Sequence, residues 1–137
     1  MNKTKILLVD DDEIIRESLS RLLERKGYIV DPKSSGPEAI KALNKSHYHV
    51  LLTDLNMPEM NGIELLKVVE KIAPDMIKII MTGYGDIKTY LDAMAIGVTE
   101  YINKPVQFSE LDTIIRQFMK NKSSLKKANF TEGVSEV

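Results

Sequence analysis

Short runs of consecutive apolar residues alternate along the chain with stretches in which apolar residues return every three or four positions. The runs KILLV (5–9), YIV (28–30), HVLLT (49–53), IKIIM (77–81) and TEYIN (99–103) read as strands. Between and after them, Ile15, Leu19, Leu22 and Leu23 form a stripe at helical spacing, as do Ala39, Ile40 and Leu43, and then Leu65, Val69 and Ile72. Ile87, Leu91 and Met94 make a fourth stripe, and Leu111, Ile114, Ile115 and Phe118 a fifth. A strand buried on both faces shows no polar alternation, so the continuous runs predict a parallel sheet with right-handed crossovers and helices on both sides. Residues 121–137 carry no such stripe and predict a polar tail, or the start of a linker, after one domain over 1–120.

Composition agrees with a single folded domain: 137 residues, of which 43% are hydrophobic and 28% charged, suffice for one real core. A formal net charge of -1 argues against a polyanion-binding surface. The basic residues Arg16, Arg21, Arg25 and Lys26 are interleaved with Glu13, Glu17 and Glu24, as on a solvated helical face, so no direct nucleic-acid contact is expected. The absence of cysteine removes disulfides and thiolate metal sites. No apolar run is long enough for a membrane span or a signal-peptide core, which makes the cytoplasm the expected location.

In an open α/β sheet, ligands gather beyond the carboxyl ends of the strands, so the residue that ends each strand matters. The first strand ends on Asp10 and Asp11, the third on Asp54, the fourth on Thr82 and the fifth on Lys104; in the order 2-1-3-4-5 these four strands are neighbours. The edge strand, running into Asp31-Pro32, contributes nothing. Three carboxylates held close repel one another, and a hard cation such as Mg2+ relieves this with carboxylate, carbonyl and water oxygens. Asp11, Asp54 and the backbone carbonyl of Asn56 are candidate ligands. A carboxylate is also a nucleophile that needs no base at neutral pH, and its acyl phosphate is labile enough for a resettable signal. Metal and lysine would neutralise the incoming phosphoryl oxygens while Asp54 attacks in line.

At ILLVDDDE, LLTDLNMPEMNG, IIMTGYGD and EYINKP, in that order and spacing, the sequence resembles the receiver domains of two-component response regulators over about residues 4–120. The resemblance implies a flavodoxin-like (βα)5 three-layer sandwich in which a sensor histidine kinase phosphorylates Asp54. It implies an acid pocket of Asp10 and Asp11, with Asp10 reaching Mg2+ through water. Thr82, Gly83 and Lys104 would bind the phosphoryl group, and Thr82 with Tyr101 would form the switch. Such a domain catalyses only its own phosphoryl transfer and dephosphorylation, and signals through the surface of the fourth helix, fifth strand and fifth helix. An output domain or target protein, or a second copy of the chain, would dock there. A cis Lys104-Pro105 bond is also implied. Val106 and Val98 stand where many members carry phenylalanine and alanine, respectively, away from the chemistry.

Other readings compete at single residues. Any one of Asp10, Asp11 and Asp12 could be a helix cap; Thr82, Gly83 and Gly85 could be ordinary loop residues; and Tyr101 could be plain strand packing. Asp10 and Asp12 form a DxD, as in aspartyl-phosphate hydrolases of the haloacid-dehalogenase type, but the second acid pair those enzymes need is not found. A degenerate receiver acting as a constitutive binding module is opposed by the intact acid, threonine and lysine set. His47 and His49 start the third strand, at the end of the sheet opposite the acids, and read as surface residues. Ile14 falls off the first helix's stripe as either a partner contact or a stray exposed hydrophobe.

Overall fold

The computed structural model describes residues 3–83 and 85–135, with side chains to residue 122. The elements are β1 (Lys5–Val9), α1 (Glu13–Arg25), β2 (Ile29–Lys33), α2 (Gly36–Lys45), β3 (Val50–Asp54), α3 (Gly62–Ile72), β4 (Ile77–Thr82), α4 (Ile87–Ile96), β5 (Glu100–Asn103) and α5 (Phe108–Ser135). The five strands are parallel, as the alternation of periods predicts, and lie in the expected order β2-β1-β3-β4-β5. Two compact units divide the chain: Met1–Val106 holds the sheet and the first four helices, and Gln107–Val137 holds α5.

Helix starts follow from local chemistry. Asp12 caps α1, Ser35 caps α2 and Asp86 caps α4, each with a side-chain oxygen accepting from backbone amides of the first turn. Asn61 and Glu64 cap each other at the start of α3. Each cap is worth about 1 kcal/mol, and because the helices follow the strands, α1, α3 and α4 all begin at the carboxyl end of the sheet.

Alternation along the strands divides the core. Leu7, Val9 and Leu51 pack with Ala39, Leu65 and Val69 of α2 and α3. Ile80 continues that face with Leu66 of α3 and Ala93 of α4. Met81, which points the other way, shares a groove with Leu19 and Leu22 of α1.

Three elements differ from expectation. β2 runs on through Asp31, Pro32 and Lys33 instead of stopping at 30, because an edge strand tolerates a residue with no amide to donate. The α4 stripe is reversed: Ile87, Leu91 and Met94 are 79%, 58% and 48% exposed, and Ala93 is the buried residue. Spacing defines a stripe but not which side packs, and the small Ala93 side chain lets the helix lie close to the sheet. Finally, the segment from 121 continues α5 as helix to Ser135; it holds no proline, and its first glycine is Gly133.

Away from the acids, buried Tyr48 donates its hydroxyl to the Asp31 carboxylate, and Lys5 Nζ lies 4.7 Å above its ring. Burial, then the Asp31 hydrogen bond and charge, push the phenol from 10.0 up to about 12. The folded state therefore holds this proton more tightly than the unfolded chain. The stabilisation is complete below about pH 10 and is lost as pH rises towards about 12. Urea unfolding across this window should show a fall in stability in the parent that is smaller in Tyr48→Phe; equal slopes would exclude the Tyr48–Asp31 pair as the cause.

Candidate functional site

The register of β1 with β3, Val9 opposite Thr53, places Asp10 and Asp54 at adjacent strand ends. Asp10 is fully buried and Asp54 6% exposed, whereas Asp11 faces solvent. One carboxylate oxygen from each of Asp10, Asp11 and Asp54 lies within 4.8 Å of the others. Lys104, leaving β5 through a cis Lys104-Pro105 bond, brings Nζ to 3.1 Å from Asp54 Oδ1 and 3.3 Å from Asp10 Oδ2. Burial raises the Asp54 pKa; the Lys104 hydrogen bond pulls it down, the Asp10 and Asp11 charges push it up, and the net direction is up. For Lys104, burial works against the charge, but the Asp54 hydrogen bond and the two carboxylates outweigh it and the ammonium is held above its usual range.

Asp12 stands apart from this cluster. Its Oδ1 accepts from the Ile14 and Ile15 amides at 3.0 and 3.2 Å, so it caps α1 and does not pair with Asp10 as a hydrolase acid. Asp10 is fixed from both ends: its Oδ1 accepts from the Asp12 amide at 2.9 Å, and its carbonyl accepts from Arg16 Nη1 at 2.7 Å. Asn56 lies exposed in the loop after β3.

Thr82 ends β4 fully buried, and its carbonyl accepts from the Lys104 amide at 2.7 Å. Gly83 is exposed, and a Cβ there would meet nothing within 4 Å, so space does not require glycine. Gly85 is different: a Cβ there would come within 2.5 Å of the Tyr101 hydroxyl and 3.0 Å of Thr82 Cγ2. The Tyr101 ring thus lies inward, under the β4–α4 loop. Its hydroxyl is buried and lies, with the Thr82 side chain, against Gly85. Burial raises its pKa, and Thr82 opposes the rise.

His49 and His47 lie outside the acid cluster; His49 Nδ1 accepts from the Lys5 amide at 2.9 Å. Ile14 is 77% exposed and edges an apolar groove of about 560 Å³ with Ile15, Leu22, Pro105 and Val106.

Three positions escaped the sequence reading. Arg16 looks like any member of a mixed-charge helix face. Gly62 meets the end of β3: a Cβ there would sit 2.7 Å from the Asp54 carbonyl oxygen and 2.9 Å from Leu55 Cα, while its amide donates to the Leu55 carbonyl at 2.8 Å. The Asn-Gly pair at the head of a helix was the available signal. Tyr90 packs edge-on against Tyr101, with ring centroids 5.4 Å apart and planes at 85°.

A parallel sheet with buried acids, an ammonium and a threonine at its carboxyl end defines a receiver-type signalling domain. The chain belongs to the response regulator receiver domain family, whose sequence profile matches residues 6–116. Domains of this family are signalling switches. The chain is 32% identical over 134 residues to the DNA-binding transcriptional regulator NtrC of Proteus hauseri, covering 98% of this chain and 28% of that protein. A CheY-like receiver domain protein from Methanospirillum hungatei matches in structure with a TM-score of 0.87 at 31% identity, over 90% of this chain and 98% of the other. A response regulator from Burkholderia pseudomallei, solved with a phosphorylated aspartic acid, calcium ion and citrate, matches with a TM-score of 0.78 at 25% identity, over 90% and 75%. The chain spans about a quarter to about half the length of most curated relatives it matches. Among the described residues, no helix is long and apolar enough to cross a membrane.

Because burial and neighbouring carboxylates outweigh Lys104 at Asp54, the ionised side chain costs stability when no cation is bound. Asp54→Asn should therefore melt at a higher temperature than the parent in chelator at neutral pH. A lower melting temperature would show that the Lys104 ion pair dominates.

Proposed function

We propose that the domain accepts a phosphoryl group on Asp54 from the phosphohistidine of a sensor histidine kinase. The observation that carries this reading is Asp54 itself: a nearly buried carboxylate at a central strand end, 3.1 Å from Lys104 Nζ and within 4.8 Å of two further acids. The donor set is all oxygen and strongly anionic, which fits a hard divalent cation such as Mg2+. Asp11, Asp54 and the Asn56 carbonyl would hold it, with Asp10 reaching it through water. When bound, Mg2+ supplies positive charge against the phosphoryl oxygens.

An Asp54 carboxylate oxygen attacks phosphorus in line, the P–N bond to imidazole breaks, and the electron pair leaves with the imidazole nitrogen. Lys104 exchanges a carboxylate partner for a phosphoryl oxygen, and the Thr82 hydroxyl and Gly83 amide donate to the others. Water then attacks phosphorus, the P–O bond to Asp54 breaks with its electron pair left on the carboxylate, and inorganic phosphate leaves. The phosphorylated aspartic acid in the Burkholderia pseudomallei relative supports this chemistry.

The modification adds only about one unit of negative charge, so reach and not bulk charge carries the signal. New oxygens draw Thr82, whose side chain lies with the inward Tyr101 ring against Gly85, and that shift passes to the exposed face of α4 with β5. Ile87, Leu91 and Met94 make that face apolar, suited to an output domain, a target protein or a second copy of the chain. A transcriptional output is the one that the relatives' names favour, and the cytoplasm is the compartment where such a kinase and output would meet it.

Incubation with acetyl phosphate and Mg2+ should add one phosphoryl group, mapped to Asp54 by mass spectrometry and absent in Asp54→Asn. Labelling of that variant equal to the parent would refute the nucleophile. Asp11→Asn removes a ligand and a charge, so Mg2+ titration should show an affinity loss of about tenfold or more; an unchanged titration would remove Asp11 from the ligand set.

A further inference from the structure

We infer that Arg16 is a positioning residue for the acid cluster: by pinning the Asp10 carbonyl, it fixes the direction in which exposed Asp11 presents its carboxylate. The inference rests on the reading of Asp10, Asp11 and Asp54 as the seat of a divalent cation, and adds to it a residue that acts through the backbone.

Asp11 is held differently from its two partners. Asp10 is fully buried and Asp54 nearly so, and Lys104 reaches both, at 3.3 and 3.1 Å. Asp11 faces solvent, where a carboxylate is free to turn away from two like charges. Among the described residues, no hydrogen bond or ion pair to its side chain offsets that tendency. Its carboxylate nevertheless belongs to the cluster in which one oxygen from each acid lies within 4.8 Å of the others. The backbone must therefore aim it.

Both peptide planes that flank Asp11 are tied. The plane before it is held by Arg16, whose Nη1 donates to the Asp10 carbonyl at 2.7 Å; the donor is charged, so the bond is a strong one. The plane after it is held by Asp10, whose Oδ1 accepts from the Asp12 amide at 2.9 Å. With both planes fixed, φ and ψ of Asp11 are fixed, and with them the direction of its Cα–Cβ bond. Two further bonds anchor this frame: the Asp10 amide donates to the Lys33 carbonyl at 3.1 Å, and the Arg16 amide donates to the Asp12 carbonyl at 2.9 Å. Arg16 thus ties the first turn of α1 back to the end of β1, with Asp11 between the two attachments.

Positioning and charge make opposite demands at Arg16. A positive group beside the acids repels a divalent cation, so charge alone predicts tighter Mg2+ binding once Arg16 is neutralised. Positioning predicts weaker binding.

The test is Mg2+ titration of the full chain, followed by NMR at the Asp11 amide. Arg16→Met keeps an unbranched side chain and helix propensity but removes the charge and the donors. Arg21→Met, the control, removes one charge from the same helix without touching the Asp10 carbonyl. Arg16→Met should bind Mg2+ about tenfold more weakly, the loss expected for a group that orients a ligand from outside the ligand set, and its Asp10 carbonyl carbon should shift. Arg21→Met should match the parent. Without Mg2+, the three-bond coupling between the Asp11 amide nitrogen and Cγ reports the side-chain rotamer, and in Arg16→Met it should move to the averaged value of a free side chain. Tighter or unchanged Mg2+ binding in Arg16→Met overturns the inference, as does a parent-like coupling or an equal loss in Arg21→Met. Should Arg16→Met fail to fold, Arg16→Lys takes its place with one donor group and the charge retained. Mg2+ affinity and the Asp10 carbonyl resonance must then both stay at the parent's values or both depart; a change in one alone overturns the inference. The coupling also separates this inference from the reading beneath it. A parent with no Mg2+ response loses the cation site, while loss of the Asp11 rotamer in Arg16→Met still supports Arg16 as the positioning residue.

Discussion

Carboxylates at adjacent strand ends repel strongly: at separations under 4.8 Å, each pair costs about 3–4 kcal/mol at an effective dielectric of about 20. Solvent screens the share of exposed Asp11, but Asp10 and Asp54 are both nearly buried. One ammonium, that of Lys104, answers both of them. It arrives from β5, two strands away from Asp54 across β4, so the strand order brings the compensating charge to the acids. The site is left under-neutralised, an all-oxygen acidic cluster of the kind that suits a hard cation.

Such a site needs a rigid frame, and the frame is set at close quarters. The buried runs of β1, β3 and β4 fix where Asp10, Asp54 and Thr82 emerge. Helix caps then fix the loops that follow, with Asp12, Asn61 and Asp86 starting α1, α3 and α4. Gly62 lets the start of α3 lie directly on the backbone that carries Asp54, and Gly85 leaves room for an aromatic ring under the β4–α4 loop. Removing Cβ at these positions places backbone and ring where a side chain would otherwise stand.

The strands, their order and the residues at their ends were legible because buried parallel strands are continuous apolar runs and their polar ends interrupt them. Asp10, Asp11, Asp54 and Lys104 could be assembled from that rule alone. What stayed hidden depends on distances across the fold. Asp12 and Asp10 are indistinguishable in the string DDD until one of them turns toward the amides of α1. The α4 stripe was visible but its orientation was not, because Ala93 carries almost no hydropathic signal. The Tyr101 ring meets both Gly85 and Tyr90, contacts that no local pattern links. The helical continuation of α5 was masked by polar residues that lack a stripe yet have good helix propensity.

Pro32 has one more consequence. β2 is an edge of the sheet, and an open edge presents unpaired amides and carbonyls on which a strand from another molecule could build. Pro32 offers no amide, and Asp31 and Lys33 flank it as an ion pair at 3.5 Å. The domain is thereby kept from adding strands indiscriminately at this edge, and crowded copies are deterred from fusing into a continuous intermolecular sheet.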